Sequence, residues 1–216
     1  MNYELPRGAS AETPAGCGPI RPESEAVQVS LRHRVYESVR ATGQISRIDL
    51  AKQLRVSPAS ITSLVGELID LGLLQENPDS SRPTTRGRPP VALSVRPDAG
   101  YVVGIKLSRT RHTALLVDAA GRPLAQAGLK CVQRRRSLGQ MLDETVEVLD
   151  RLLKDTGLQR ADISCVGLGM PGMIDHAAGQ MVWSPLLTET DKPLRQLAED
   201  RIGVPVSVDN DANIVT

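Results

Sequence analysis

The sequence is poor in cysteine. Cys17, Cys131 and Cys165 lie far apart, and none belongs to a CxxC pair. That spacing excludes a disulfide framework and a local zinc knuckle, and it suits a reducing cytosol. Long apolar runs are missing too: none approaches the roughly 20 residues that a bilayer-spanning helix needs. The first residues lack the charged-then-apolar order of a secretion signal. A cytoplasmic protein without membrane contact is therefore expected. Charge of one sign is also lacking. Lys and Arg number 26 against 25 Asp and Glu, for a formal net charge of +1. Neither a polybasic nucleic-acid tail nor an acidic solvating segment dominates such a chain.

What is present falls into two modules. The 216 residues have room for one large domain or two small ones, and 40% hydrophobic residues can bury a core. Residues 1–29, rich in Pro, Gly, Ala, Ser and Glu, are expected to form a disordered arm. Helical periodicity starts at Leu31 and breaks at Asn77–Pro90 (NPDSSRPTTRGRPP). Strands are expected next at Val91–Val95, Tyr101–Leu107, Ala114–Val117 and Leu124–Ala127. A helix is expected over about Ser137–Thr156, where Leu138, Met141, Leu142, Thr145, Leu149, Leu152 and Leu153 share one face. Ile163–Leu168 reads as a short strand ending in a GMPG turn, and a helix at about Pro193–Arg201 leads into a strand at Val204–Val208. The layout is α+β then α/β: a small module at 30–95 with a wing and linker at 77–90, then a second module at 96–216.

In the first module, helices are expected from Leu31 to Ala41, from Ser46 through Leu54, and from Ser57 to about Leu71. Ser46 and Ser57 are good N-caps, and Pro58 suits a first helical position. The third helix turns Ile61, Leu64, Val65, Leu68 and Ile69 inward and small polar residues outward. A second short helix with an open polar N-terminal face fits a helix-turn-helix, whose recognition helix enters a major groove. The same spacing also fits an ordinary three-helix bundle. Two features favour DNA. Strands at Leu73–Glu76 and Val91–Val95 would frame a wing, and residues 31–88 hold nine Lys or Arg against six Asp or Glu. Candidate DNA contacts are Arg47, Ser57, Ala59, Ser60, Thr62 and Ser63 from the helices, with Arg82, Arg86 and Arg88 from the wing. Extended Arg-Gly-Arg-Pro can lie in a narrow minor groove, which attracts arginine; it can equally be a plain linker.

The phrase ISRIDLAKQLRVSPASITSLVGELIDLGLLQE, the following GRPP, a GI strand at Gly104-Ile105, a GxPG turn at Gly169–Gly172, and GVPV followed by NDAN at 203–213 carry a resemblance. In that order they resemble the ROK family of repressors and sugar kinases, and specifically its transcriptional regulators of sugar metabolism. The resemblance implies a winged helix-turn-helix followed by the first lobe of an actin-like, ribonuclease-H-like ATPase fold. It implies a repressor that binds double-stranded operator DNA as an oligomer such as a homodimer. A sugar or sugar phosphate effector would alter its affinity.

The kinase members of that family carry an Asp-x-Gly-Gly-Thr phosphate loop. Here Lys106 stands where the metal-linked aspartate belongs, and Ser108 and Arg109 stand where the glycines belong. A lysine holds no Mg²⁺ by a carboxylate, and side chains crowd a loop that needs bare amides. No catalytic residue is therefore assigned and no enzyme activity is expected; the alternatives are a kinase fused to a DNA-binding domain and a non-functional remnant. Gly172, Asn210 and Asp211 match the family's sugar-contacting positions, although an Asn-Asp pair alone fits a surface turn. Trp183 is a candidate sugar platform or a core residue. The family's His/Cys zinc cluster has no counterpart in this sequence, so no metal or other cofactor is expected. The chain is expected to hold only the first lobe of the sensor, leaving apolar surface exposed where a second lobe would sit.

Overall fold

A computed structural model describes residues 30–78, 91–131 and 135–212. The expected arm at 1–29, most of the expected wing with Arg82, Arg86 and Arg88, and Asn213 lie outside the described residues. The protein forms two compact units that divide between Ala99 and Gly100. Among the described residues no helix is long and apolar enough to cross a membrane.

The first unit opens with α1 (Leu31–Thr42), β1 (Ile45–Ser46), α2 (Arg47–Leu54) and α3 (Pro58–Asp70). Serines start all three helices. Ser30, Ser46 and Ser57 accept from the backbone N–H groups of His33, Asp49 and Ser60, satisfying donors that a first turn leaves orphaned. Gly43 ends α1 at φ 80°, a left-handed backbone that glycine adopts without strain. Strands β2 (Leu74–Pro78) and β3 (Val91–Val95) pair antiparallel from Leu74↔Val95 to Pro78↔Val91, and β1 adds to the other edge of β3. Val35, Val39, Leu50, Ile61, Val65, Leu68, Leu74 and Leu93 make the core. Leu54, Leu64 and Ile69, expected to face fully inward, are only half-buried. The two residues of β1 are too short to show a period, and the sequence reading missed them.

The second unit is a mixed α/β layer structure. Strands β4 (Tyr101–Lys106), β5 (Arg111–Asp118) and β6 (Pro123–Lys130) form an antiparallel meander. Helix α4 (Leu138–Leu153) then crosses back to β7 (Ile163–Met170), which lies parallel to β4. A hairpin of β8 (Met173–Asp175) and β9 (Gln180–Trp183), then α5 (Leu194–Ile202), lead to β10 (Val206–Asn210), parallel to β7. The sheet order is β10-β7-β4-β5-β6.

Alternation decides which sheet face is buried. Val103 and Ile105 of β4, Ala114 and Leu116 of β5, Val166 and Leu168 of β7, and Val206 and Val208 of β10 join α4 and α5 in one core. Every residue of the expected α4 stripe is buried, and Val148 joins it. Ser137 and Gln140 form a capping box at the start of α4. On the opposite sheet face Val102 and Leu115 stay exposed. Strand β5 begins at Arg111, earlier than the expected Ala114, because its first positions already alternate with His112 inward.

Candidate functional site

In the first unit, the turn between α2 and α3 is set by Arg55, which holds a left-handed backbone at φ 54°. Its N–H returns to the carbonyl groups of Ala51 and Lys52, closing α2 so that α3 can leave at an angle. The inner stripe of α3 fixes its outer face. Ser57, Ala59, Ser60, Thr62 and Ser63 are all exposed there. Ser57 Oγ and Ser60 Oγ lie 2.8 Å apart, and Thr62 Oγ1 donates to Pro58 O at 2.8 Å. The donor of Thr62 is thus used within the helix, while its oxygen lone pairs stay open to accept. Methyl, hydroxyl and proline surfaces dominate this end. Farther along the helix, Glu67 is paired with Arg32 at 2.6 Å.

Arg47 stands apart from that set. It begins α2 and forms an ion pair with Glu76 of β2 at 2.6 Å, half-buried. It braces helix against sheet. No local pattern marks this pair, since Arg47 and Glu76 are brought together only by the sheet. Lys52 and Arg55, not singled out from the sequence, are exposed basic residues beside the turn.

In the second unit, parallel strands β4, β7 and β10 end at one edge of the sheet. Their register lines up Lys106, Gly169 and Asp209 in one row. The middle position carries no side chain. Lys106 Nζ lies 3.7 Å from Asp211 Oδ2. Asp211 is held by its own N–H, which donates to Met170 O at 3.1 Å. Asn210 Nδ2 donates to Gly172 O at 2.5 Å. Gly172 has φ 145°, and a Cβ there would run into the carbonyl oxygen of Trp183 and lie 3.0 Å from Ser184 Cα. Glycine is required at this turn by both backbone angle and space.

The three sugar-site residues expected from the sequence, Gly172, Asn210 and Asp211, are therefore one connected group. Trp183 belongs to the same corner and is 46% exposed. His176 donates from Nδ1 to Val208 O at 2.9 Å, fastening the hairpin loop to β10. The stretch after Lys106 closes on itself: Arg111 N–H donates to Ser108 Oγ, and Ser108 Oγ donates to Arg111 O.

A second polar cluster was not legible from the sequence. His112, Cys131 and Glu144 bring one ligand-type atom each to within 4.8 Å of one another. The hydrogen bonds decide what it is. Ser108 N–H donates to His112 Nδ1 at 3.1 Å, so the proton of the neutral ring sits on Nε2, which faces Glu144 at 2.9 Å. The Arg136 guanidinium binds the same carboxylate oxygen. A metal would have to displace both a proton and a guanidinium. Burial pushes the His112 pKa down, keeping the ring neutral. The cluster is a buried clamp tying β5 to α4, and it does not suit a cation.

The sequence model of the ROK family matches residues 102–216. The chain is 28% identical over 171 residues to the xylose repressor of Caldicellulosiruptor bescii, covering 78% of this chain and 42% of that protein. It is 26% identical over 183 residues to the DNA-binding transcriptional repressor Mlc of Escherichia coli, covering 84% and 44%. Among solved structures, a ROK family transcriptional regulator, a homologue of the Escherichia coli protein, aligns with a TM-score of 0.63 at 26% identity, over 82% of this chain and 44% of that one. The chain thus spans less than half the length of the relatives it matches.

Proposed function

The chain belongs to the ROK family, and from that premise we propose that it is a DNA-binding transcriptional regulator of carbohydrate-utilisation genes, a repressor relieved or tuned by a sugar-type effector. In this reading residues 30–95 are a winged helix-turn-helix, with 77–90 as wing and linker. Helix α3 is the recognition helix, and residues 96–216 are the first lobe of an actin-like sensor.

One observation carries the reading. Helix α3 packs by Ile61, Val65 and Leu68 and leaves Ala59, Ser60, Thr62 and Ser63 uncovered. Small side chains let a helix come close to base edges, where Ser and Thr bond to either base partner and methyl groups meet thymine. Arg82, Arg86 and Arg88 add phosphate or minor-groove contacts from the wing, and Arg47 supports the fold of the reader beside its expected contact. The names of the relatives, a xylose repressor and a DNA-binding repressor, support the same function.

The second unit acts as a sensor and not as a kinase in this reading. Lys106, at the end of β4, is paired with Asp211. A cation there opposes binding of Mg²⁺ and leaves the carboxylate to accept from a sugar hydroxyl. The test has two parts. An Arg86→Ala/Arg88→Ala variant should bind operator DNA more weakly and with a shallower salt dependence, because each lost phosphate contact releases fewer counterions. An ADP-release assay over a panel of hexoses should show no sugar-dependent turnover. Unchanged affinity and salt slope, or turnover that Asp211→Asn abolishes, would overturn the reading.

A further inference from the structure

The row at the ends of β4, β7 and β10 holds more than a sugar-hydroxyl acceptor. In an open sheet with parallel strands, ligands settle outside the carboxyl ends of those strands. Lys106 is the side chain that β4 presents at that edge, and it is 51% exposed while Asp211 is 26% exposed. At 3.7 Å the two make a loose pair in contact with solvent, the kind that adds little to stability. An ammonium has three donors, and one of them facing Asp211 leaves others to turn elsewhere. Asp209 Oδ1 accepts from the N–H of Asn210 at 2.6 Å, and its other oxygen faces His176 at 3.8 Å. A second cation, Arg109, is exposed in the turn that follows Lys106.

We infer that Lys106 is a specificity-determining residue and that it selects an anionic sugar, one carrying a phosphate or carboxylate group next to its hydroxyls. Asp211 accepts from a ligand hydroxyl. Lys106 swings from Asp211 to the ligand oxyanion, past Gly169, which carries no side chain on the strand between them. A neutral sugar would satisfy Asp211 but leave the ammonium with only its present partner. The inference rests on the reading of this edge as an effector site.

The test uses the full chain and the fluorescence of Trp183, the single tryptophan, checked by calorimetry. The probes are hexose 6-phosphates, hexuronates, the matching neutral hexoses and inorganic phosphate. The anionic sugars should bind about tenfold or more tighter than their neutral partners, the size of a hydrogen bond to a charged group. Lys106→Met should erase that preference, so that each anionic sugar binds no tighter than its neutral partner, while Lys106→Arg should keep it. Comparing 6-phosphates with hexuronates tells which oxyanion is used. Equal binding of neutral and anionic sugars, or an undiminished preference in Lys106→Met, would overturn the role of Lys106 while leaving the effector site standing. Binding of inorganic phosphate as tight as that of any sugar would overturn it as well. If none of the sugars binds, the effector-site reading itself fails, and the inference with it.

Discussion

Replacing Gly172 by alanine is the sharpest structural test of the second unit. At φ 145° the residue sits where side chains are rarely tolerated, and the added Cβ meets the Trp183 carbonyl and the Ser184 backbone. Neither obstacle can turn away, because both are main chain. Holding a non-glycine residue in such a region costs about 1–3 kcal/mol, and forcing extra volume into a packed site costs about 1–3 kcal/mol more. The sum, about 2–6 kcal/mol, is a large part of the roughly 5–15 kcal/mol that holds a domain together. Urea unfolding followed by Trp183 emission reads the second unit alone, since no other tryptophan is present. Gly172→Ala should lower the midpoint sharply and should also blue- or red-shift the native emission, because the contacted oxygen belongs to Trp183. Gly104→Ala is the control: nothing lies within 4 Å of its added Cβ. A Gly172→Ala midpoint equal to that of Gly104→Ala would refute the reasoning about this turn.

Further outcomes follow from other parts of the fold. Leu149 of α4 is fully buried, so Leu149→Ala should cost about 2–5 kcal/mol in the same unfolding experiment. Gly66 lies inside α3 with open space around its Cβ position; Gly66→Ala should stabilise the first unit by about 0.5–1 kcal/mol, visible as a higher melting temperature by circular dichroism. Burial holds the pKa of His112 below its ordinary 6.5, so the unfolded chain takes up a proton there before the folded one does. Stability should therefore fall as the pH drops below about 6.5 and level off once the folded ring also protonates. His112→Gln, which removes the titrating ring, should flatten that part of the curve.

Much of the fold can be read from the sequence, for physical reasons that differ by element. Helix α4 shows itself because seven inward residues repeat at helical spacing, and the structure adds Val148 to them. Ser46 and Ser57 mark the starts of α2 and α3 in the same local way, while the caps Ser30 and Ser137 emerge only in the structure. The hairpin β8–β9 does not show itself, because its strands are only three and four residues long, too short for alternation to be seen. Arg136 leaves no local sign of its place: it follows two other arginines in the sequence, yet it is buried against Glu144 and His112. Local pattern reports burial on one element; a partner supplied by a distant helix leaves no local trace. For the same reason Gly172, Asn210 and Asp211 were found as motif residues, while the approach of Lys106 to Asp211 and of Arg47 to Glu76 required the strands to be placed side by side.

Reading of DNA by the uncovered face of α3 can be measured by selecting binding sites for the full chain from random duplex DNA and then determining the affinity of a Ser63→Asp variant for the winner. Ser63 is exposed, so the variant should fold as before, and a carboxylate facing the phosphates should cost several kcal/mol of binding. A defined consensus sequence and a loss of well over tenfold in Ser63→Asp are expected. Random pools that yield no consensus, or a variant that binds as tightly as the parent, would contradict that role of α3.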